Sequence, residues 1–281
     1  PGVGRGRPDG FIDAVFDRAL PALSRDVEGW EGLVSRMLRG GYPEALARAA
    51  DDRRQAWFGS YITTILQRDI RDMAQIEGLT AWPRLLTLLA TRSTALLNFA
   101  DLSRSIAMPQ STLKRYMALL EMTFMIQPVP AWATNLGKRL LKTSKIAIAD
   151  SGLMANLLSL TGERLAAQRD LAGPLLETFV LMELKKQATW SKRRPQIFHF
   201  RTQMGQEVDI VLEDAAGHVV GIEVKASATL GIADFKNLRT LSEIAGKRFR
   251  RGILLYAGPE PLPFGPNCYA LPVSALWRLG A

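Results

Sequence analysis

The chain has 281 residues, of which 47% are hydrophobic and 22% charged, and its formal net charge at pH 7 is +9. This length suffices for two or three domains, and the composition is typical of a soluble globular protein. The single cysteine, Cys268, excludes an internal disulfide and a cysteine-based zinc site. No apolar stretch reaches the length of a membrane span and no secretory signal is visible, so we expect a cytoplasmic protein without a membrane partner.

The basic excess favours an anionic partner, and nucleic acid, DNA in particular, is the expected one. The charge is clustered, since residues 138–145, 185–194 and 247–251 each contain several lysines and arginines with no acidic residue among them. A cluster of this kind is also typical of a solvated surface, and that alternative stays open for each cluster.

Residues 1–95 are predicted to be a helical region, preceded by a loose glycine- and proline-rich tail over residues 1–8. Gly40 and Gly41 are typical of a helix end, and Pro43 of a helix start. Trp57 and Tyr61 lie four residues apart and predict an apolar stripe along one helix. A phosphate loop of the form Gly-x4-Gly-Lys-Ser/Thr is absent from the sequence. We therefore predict no nucleotide site within this chain.

Residues 96–165 have the organisation of a winged helix-turn-helix. Asp101 is the expected cap of a first helix, Met108 and Pro109 break it, and a second helix follows. A basic connection between two β-prone runs then predicts a hairpin with a cationic tip. The second helix of such a module enters the major groove and the tip contacts phosphates, although winged helices also dock proteins. The candidate nucleic-acid-binding residues are Lys114, Arg115, Lys138, Arg139 and Lys142.

Residues 166–281 change to a mixed α and β pattern. The predicted elements are a helix over 175–186, strands over 197–200, 207–212, 219–225 and 252–256, a helix over 232–245, a last strand over 268–271 and a short C-terminal helix. Residues 214–217, Asp-Ala-Ala-Gly, are a turn signal that joins the second and third strands into a hairpin.

That hairpin brings acidic side chains together. It sets Asp209 almost opposite Glu223, and alternation along the strand puts Glu223 and Lys225 on one face. Carboxylate oxygens are ligands for a hard cation such as Mg²⁺. A nearby lysine can offset charge that develops on a phosphate oxygen. The pattern predicts a metal-dependent phosphodiesterase.

Several motifs together resemble a known family. They are Gly173-Pro174-Leu175-Leu176-Glu177-Thr178-Phe179-Val180, Phe200-Arg201-Thr202, Glu207-Val208-Asp209, Ile222-Glu223-Val224-Lys225, Gly40-Gly41-Tyr42-Pro43-Glu44, Gln67-Arg68-Asp69-Ile70 and Asp150-Ser151-Gly152-Leu153. This set of motifs resembles the C-terminal domain of a large bacterial and archaeal group of AAA-type ATP-binding proteins. That domain looks like a PD-(D/E)XK nuclease fold. The fold class expected is therefore mixed α+β, with an N-terminal helical region, a winged helix-turn-helix and a C-terminal α/β nuclease-like domain.

The resemblance implies roles for individual residues. Asp209, Glu223 and Lys225 would be catalytic, and Asp209, Glu223 and Glu177 would bind Mg²⁺ or Mn²⁺. It also implies an ATPase module upstream, so residues 1–95 would include the end of that module or a linker. Further partners would be this module in the same polypeptide or a second copy of the chain.

Two functions stay open. The first is a DNA-interacting protein with a metal-dependent nuclease-like domain, in which metal-bound water attacks a phosphate. The second is a non-catalytic DNA- or protein-binding regulatory module that retains the nuclease fold, because two acids and a lysine can also pair as a structural ion network.

Overall fold

A computed structural model describes residues 10–21, 23, 28–70 and 81–279, apart from the side chains of residues 67 and 69. The tail predicted for residues 1–8 lies outside these ranges. Within them, no helix combines the length and the apolar character needed to cross a bilayer.

The first part of the chain is helical, as the sequence predicted. Its helices are α1 (Gly10–Phe16), α2 (Gly29–Arg39), α3 (Pro43–Leu46), α4 (Asp51–Thr64), which continues as a π-helix over Ile65–Ile70, α5 (Trp82–Thr91), α6 (Phe99–Ile106), α7 (Gln110–Met122), α8 (Leu136–Leu141), α9 (Ser151–Leu157) and α10 (Gly162–Ala167).

Helices α6 and α7 are followed by a two-stranded antiparallel sheet of β1 (Ile126–Val129) and β2 (Lys145–Ile148). The cap of α6 is Asn98, whose side chain accepts from the backbone N–H of Asp101. The prediction that Asp101 itself caps this helix was wrong, because Asp101 lies within the first turn. On the other side of β2, Leu96 forms an isolated antiparallel bridge with Lys145. Lys145 therefore lies on a strand with neighbours on both edges.

The second part is built around a mixed six-stranded sheet with the order β3-β4-β5-β6-β8-β7. Its elements are α11 (Ala172–Trp190), β3 (Gln196–Arg201), β4 (Glu207–Glu213), β5 (Val219–Lys225), a 3₁₀ turn over Ile232–Phe235, α12 (Lys236–Ala245), β6 (Phe249–Tyr256), β7 (Leu262–Pro263), β8 (Cys268–Pro272) and α13 (Ala275–Arg278). Strands β3, β4 and β5 are antiparallel, whereas β6 is parallel to both β5 and β8. The helices and strands predicted for this region are confirmed.

The two faces of this sheet pack on different helices. Ile210 and Ile222 belong to the buried cluster that includes the apolar side chains of α11. Val219 and Leu254 belong to a second cluster that contains Leu238 and Leu241 of α12. Because successive side chains of a strand point to opposite faces, the apolar strands are buried on both sides. The sheet is therefore a rigid platform between two helices.

The connection between β1 and β2 lies against this sheet. Ala131 forms a parallel bridge with His199 of β3, and the backbone N–H of Trp132 donates to the carbonyl of His199 at 2.6 Å. The indole of Trp132 is fully buried among the residues packed on α12. The residues that follow β1, ahead of the basic connection predicted as a hairpin tip, thus extend the edge of the large sheet and join the two parts of the chain.

Two of the motifs quoted for the family resemblance meet in space. The buried carboxylate of Asp150 accepts from the backbone N–H of Gly41 at 2.6 Å and from that of Leu153 at 2.9 Å. A Cβ on Gly152 would lie 2.8 Å from the backbone oxygen of Arg39. These residues hold the start of α9 against the end of α2, so their role in the described structure is architectural.

Candidate functional site

Strands β4 and β5 bring the two predicted carboxylates together. The register pairs Ile210 with Ile222, so Asp209 and Glu223 face each other one step further along the ladder. The backbone N–H of Val224 donates to Oδ2 of Asp209 at 2.9 Å. Burial raises the pKa of Asp209, although Lys145 and this hydrogen bond oppose the shift. The predicted proximity of Asp209 and Glu223 is confirmed by this register.

Glu223 is a buried acid, with only 7% of its surface exposed. Burial, and after it the negative charge of Asp209, raises its pKa to about 10. A side-chain hydrogen bond joins it to Asp209, and the raised pKa means that Glu223 donates the proton at neutral pH. Its Oε1 is buried and has no hydrogen-bond partner among the described residues. Asp209 and Glu223 thus form a proton-sharing pair, Asn237 also hydrogen-bonds to the Glu223 side chain, and Oε1 is the oxygen without a partner among the described residues.

Lys145 of β2 enters this cluster from the first part of the chain. Its Nζ lies 3.0 Å from Oε1 of Glu177, 2.6 Å from Oε1 of Glu207 and 3.9 Å from Oδ1 of Asp209. The residue is 3% exposed. Burial by itself lowers the pKa of Lys145, but the charges of Glu177, Asp209 and Glu207 outweigh burial and raise it. The side chain is therefore an ammonium ion at any physiological pH.

Glu177 and Glu207 complete the surroundings of that ammonium. Burial and the charge of Asp209 raise the pKa of Glu177, on helix α11, to about 7. Burial also acts to raise the pKa of Glu207, yet Lys145 and Arg201 hold it below its usual value. Oε2 of Glu207 accepts from Nη1 of Arg201 at 2.5 Å. In this arrangement two cations, Lys145 and Arg201, face four acidic side chains, of which Glu223 is protonated at neutral pH.

Sequence reasoning missed Lys145 and Glu207 as members of this site. Glu207 lies within a motif that the sequence singled out, two residues before Asp209. Lys145 was grouped with the basic connection, although it is the only charged residue of an otherwise apolar strand, Lys-Ile-Ala-Ile. An isolated charge in a buried strand needs a partner of opposite charge. The sequence could therefore have indicated that Lys145 pairs with buried acidic side chains.

Lys225 has a different partner from the one predicted for a catalytic lysine. Its Nζ lies 2.8 Å from Oδ1 of Asp234, in the 3₁₀ turn that precedes α12. The hydrogen bond to Asp234 is the main cause that raises the pKa of Lys225, with smaller contributions from Glu223 and Asp209. Its side chain is 43% exposed. Lys225 thus stands near the carboxylates, while its ammonium pairs with Asp234.

The carboxylates in this arrangement do not fit a divalent ion beside the ammonium. Within residues 10–21, 28–70 and 81–279, no three His, Cys, Asp or Glu side chains are grouped as metal ligands. The position between Glu177, Glu207 and Asp209, where a cation would neutralise them, is occupied by Lys145. A metal and the ammonium at this point would repel each other at contact distance.

The predicted nucleic-acid-binding residues fall into two groups. Lys114 and Arg115 are exposed on α7, and Leu113, Tyr116 and Met117 are buried, so the helix has the two faces that its sequence predicted.

The other three residues lie on or next to α8. Lys138 is exposed, and Lys142 donates to the backbone oxygen of Arg201 at 2.9 Å. Arg139 is buried: its two terminal nitrogens lie 2.5 and 2.9 Å from the carboxylate oxygens of Glu213, and its guanidinium lies over the ring of Phe198. Contrary to the prediction of a phosphate contact, Arg139 joins α8 to β4, because its donors are taken up inside the protein.

A separate cavity of about 800 Å³ lies between α2, α4, α9 and α10. Trp30, Leu38, Phe58 and Leu160 form much of its apolar wall. Arg54 also lines it but is paired with Asp51 and with the backbone oxygen of Arg48. The carboxylate cluster around Lys145 is not part of this wall.

Comparison with known proteins identifies two domains in the chain. Residues 31–164 match the model described as Domain of unknown function (DUF8612), and residues 172–276 match the model described as Domain of unknown function (DUF4143). DUF4143 domains are commonly found after AAA ATPase modules. The first domain therefore contains Lys145, and the second contains all the carboxylates that surround it.

Two curated mycobacterial proteins are similar to the chain. They are named Uncharacterized protein Rv2008c, from Mycobacterium tuberculosis (strain ATCC 25618 / H37Rv), and Uncharacterized protein Mb2031c, from Mycobacterium bovis (strain ATCC BAA-935 / AF2122/97). Each is 30% identical over 245 residues, which is 87% of this chain and 53% of the relative. The chain spans about half the length of these relatives.

Proposed function

We propose that the chain is a non-catalytic regulatory module of an AAA-type ATP-binding protein, that it retains a PD-(D/E)XK nuclease-like fold, and that it binds DNA. The observation that carries this proposal is the ammonium of Lys145 among Glu177, Glu207 and Asp209. A cation that belongs to the protein takes the place where a catalytic metal would be required.

The nuclease-like ancestry is supported by the order and placement of the elements. A helix, three antiparallel strands, a helix and a parallel strand follow one another as α11, β3, β4, β5, α12 and β6. Glu177 lies on the first of these helices, Asp209 on the middle antiparallel strand, and Glu223 and Lys225 on the next. These are the positions at which the resemblance implies the functional residues of that fold.

DNA binding is supported by the succession of helices α6 and α7, which is the order that a helix-turn-helix would have, and by the basic charge of the chain. Lys114 and Arg115 lie on the exposed face of the second helix, where they would contact phosphates or base edges. β1 and β2 follow this pair as the strands of a winged helix would. Regulation is supported by the association of DUF4143 domains with AAA ATPase modules.

The second candidate is a metal-dependent nuclease, and one observation favours it. Oε1 of Glu223 is buried and unpartnered within the described part of the chain, on a side chain that also hydrogen-bonds to Asp209. An orphaned carboxylate oxygen is a costly feature unless a ligand uses it. In this alternative Glu177, Asp209 and Glu223 would hold Mg²⁺ or Mn²⁺, which would activate water, and Lys225 would stabilise charge on the phosphate.

A combined binding and cleavage assay separates the two candidates. The chain is incubated with supercoiled plasmid and with labelled single- and double-stranded oligonucleotides, in Mg²⁺, in Mn²⁺ or in EDTA. Salt-sensitive binding in all three conditions, without cleavage, is expected for the regulatory module. Metal-dependent cleavage that is lost in Asp209→Ala and Lys225→Ala would establish the nuclease instead. Absence of any salt-sensitive affinity for DNA would contradict both.

A further inference from the structure

We propose that Lys145 is an internal substitute for a divalent cation, so that the docked β1–β2 hairpin and a metal ion at Glu177, Asp209 and Glu223 exclude each other. This inference deepens the proposed function, because it states what keeps the nuclease-like site closed. Withdrawal of Lys145 would uncover a cation site in the second domain.

The electrostatics of the cluster support this exchange. Several acidic groups converge inside the protein, and such convergence is strongly unfavourable unless a cation neutralises them. Lys145 supplies one positive charge at 2.6 Å from Glu207 and 3.0 Å from Glu177. A divalent ion held by Glu177, Asp209 and Glu223 would supply twice the charge and would use two of the three carboxylates that Lys145 contacts. The two cations therefore compete for Glu177 and Asp209.

The unpartnered oxygen of Glu223 is an independent sign of a ligand position. Lys145 forms ion pairs with Glu177, Glu207 and Asp209, but it forms none with Glu223, whose Oε1 is buried without a partner among the described residues. A lysine side chain directs its three donors at a limited set of acceptors. A metal ion with six or more coordination positions can use an additional oxygen that the ammonium leaves unsatisfied.

The position of Lys145 makes the exchange dependent on domain contact. The lysine lies on β2 of the first domain, whereas the carboxylates lie on α11, β4 and β5 of the second. Because Lys145 is buried on β2, a shift of β2 relative to α11 and β4 would withdraw its side chain from the site. A contact that holds the two domains together therefore also determines whether the site admits a cation.

The experiment compares Mn²⁺ binding to the wild-type chain and to Lys145→Gln, by electron paramagnetic resonance of free Mn²⁺ and by thermal shift. We expect Lys145→Gln to bind one Mn²⁺ at least about tenfold more tightly than the wild type and to gain a thermal shift that EDTA reverses. Lys247→Gln is the matched control, since Lys247 is an exposed lysine between α12 and β6; it should behave as the wild type.

A second variant provides for the case in which Lys145→Gln does not fold because its carboxylates have lost their cation. Lys145→Gln/Asp209→Asn removes one charge of each sign and should fold without metal but bind no Mn²⁺. If Lys145→Gln alone does not fold, refolding in the presence of Mn²⁺ should restore its structure, as measured by circular dichroism. Equal Mn²⁺ affinity of the wild type and Lys145→Gln, or failure of Mn²⁺ either to bind or to restore Lys145→Gln, overturns the inference.

The result is separable from the proposed function. Mn²⁺ binding by Lys145→Gln together with a lack of DNA affinity in the wild type would remove the DNA-binding proposal and leave this inference intact. DNA affinity of the wild type without Mn²⁺ binding by Lys145→Gln would overturn this inference and leave the DNA-binding proposal intact.

Discussion

The ammonium of Lys145 lies 3.0 Å from Oε1 of Glu177, and these two residues belong to different domains of the chain. The ion pair is almost completely removed from water, because Lys145 is 3% exposed. It therefore serves as a link between the domains and as the charge that neutralises the carboxylates of Glu177, Glu207 and Asp209. Both roles lead to measurable consequences.

Removal of the ammonium should destabilise the protein strongly. Lys145→Ala leaves Glu177, Glu207 and Asp209 without their shared cation, and breaking a buried ion pair of this kind costs about 3–5 kcal/mol. Urea unfolding monitored by circular dichroism measures the loss in the absence of divalent ions. Lys138→Ala, which removes an exposed lysine of α8, should change the free energy of unfolding by less than about 0.5 kcal/mol. A similar small effect for both variants would show that the Lys145 ion pairs contribute little.

The proton on Glu223 should make the protein less stable at alkaline pH. The pKa of Glu223 is about 10 in the folded state and near 4.5 for an ordinary glutamate in water, so the folded state retains a proton that the unfolded chain releases. This contribution to stability is complete below about pH 4.5 and is lost as pH rises through the folded pKa. Glu177, with a pKa of about 7, acts in the same direction at lower pH.

Glu223→Gln tests that dependence. A glutamine keeps the neutral form and can still donate to Asp209, but it has no proton to lose. Between pH 5 and pH 9 the free energy of unfolding should fall by about 5 kcal/mol less in the variant than in the wild type, because each pH unit between the two pKa values costs about 1.4 kcal/mol. Urea unfolding at pH 5, 7 and 9 gives the two profiles. Parallel profiles would mean that Glu223 is ionised in the folded state at neutral pH.

Arg139 should resist replacement even by lysine. Its guanidinium donates to both oxygens of Glu213 and lies over Phe198, a geometry that a single ammonium cannot reproduce. Arg139→Lys should therefore cost about 1–3 kcal/mol and increase the rate of proteolysis in the connection between β1 and β2. Arg53→Lys, at an exposed position of α4, is the control and should have little effect. Unchanged stability of Arg139→Lys would mean that the contact with Glu213 is weak.

The exposed face of α7 should carry most of the salt-dependent DNA affinity. Lys114→Ala/Arg115→Ala should weaken binding to a labelled duplex and reduce the slope of log affinity against log salt by about 2, because each phosphate contact contributes about 0.9. Fluorescence anisotropy between 50 and 200 mM salt, the range over which such contacts change affinity by orders of magnitude, provides the measurement. Lys236→Ala, an exposed lysine at the start of α12, should leave the slope unchanged. A normal slope in the double variant would place the DNA contacts elsewhere.

The parts of the site that depend on local chain geometry were predictable from the sequence. Alternation of apolar residues and the turn at residues 214–217 set the register of β4 and β5, and this register alone puts Asp209 opposite Glu223. The helix that carries Glu177 follows from its apolar pattern and from the family resemblance. Such short-range signals fix the strands, their pairing and the direction of their side chains.

The parts that depend on contact between distant segments were not predictable in this way. Lys145 reaches the carboxylates because the β1–β2 connection packs against β3, and no local pattern encodes that packing. Arg139 resembled a solvent-exposed phosphate ligand for the same reason, since its partner Glu213 is distant in the chain. Lys225 pairs with Asp234 because the 3₁₀ turn before α12 brings that carboxylate within reach. The identity of the cation in the site was thus decided by tertiary structure.

The most direct measurement is X-ray diffraction from crystals of the chain soaked in Mn²⁺, with data collected at a wavelength where manganese scatters anomalously. For the wild type we predict no anomalous peak between Glu177, Asp209 and Glu223, and density for the Lys145 ammonium in contact with Glu177 and Glu207. A manganese peak among these three carboxylates, with Lys145 displaced from them, would contradict the assignment of Lys145 as the resident cation.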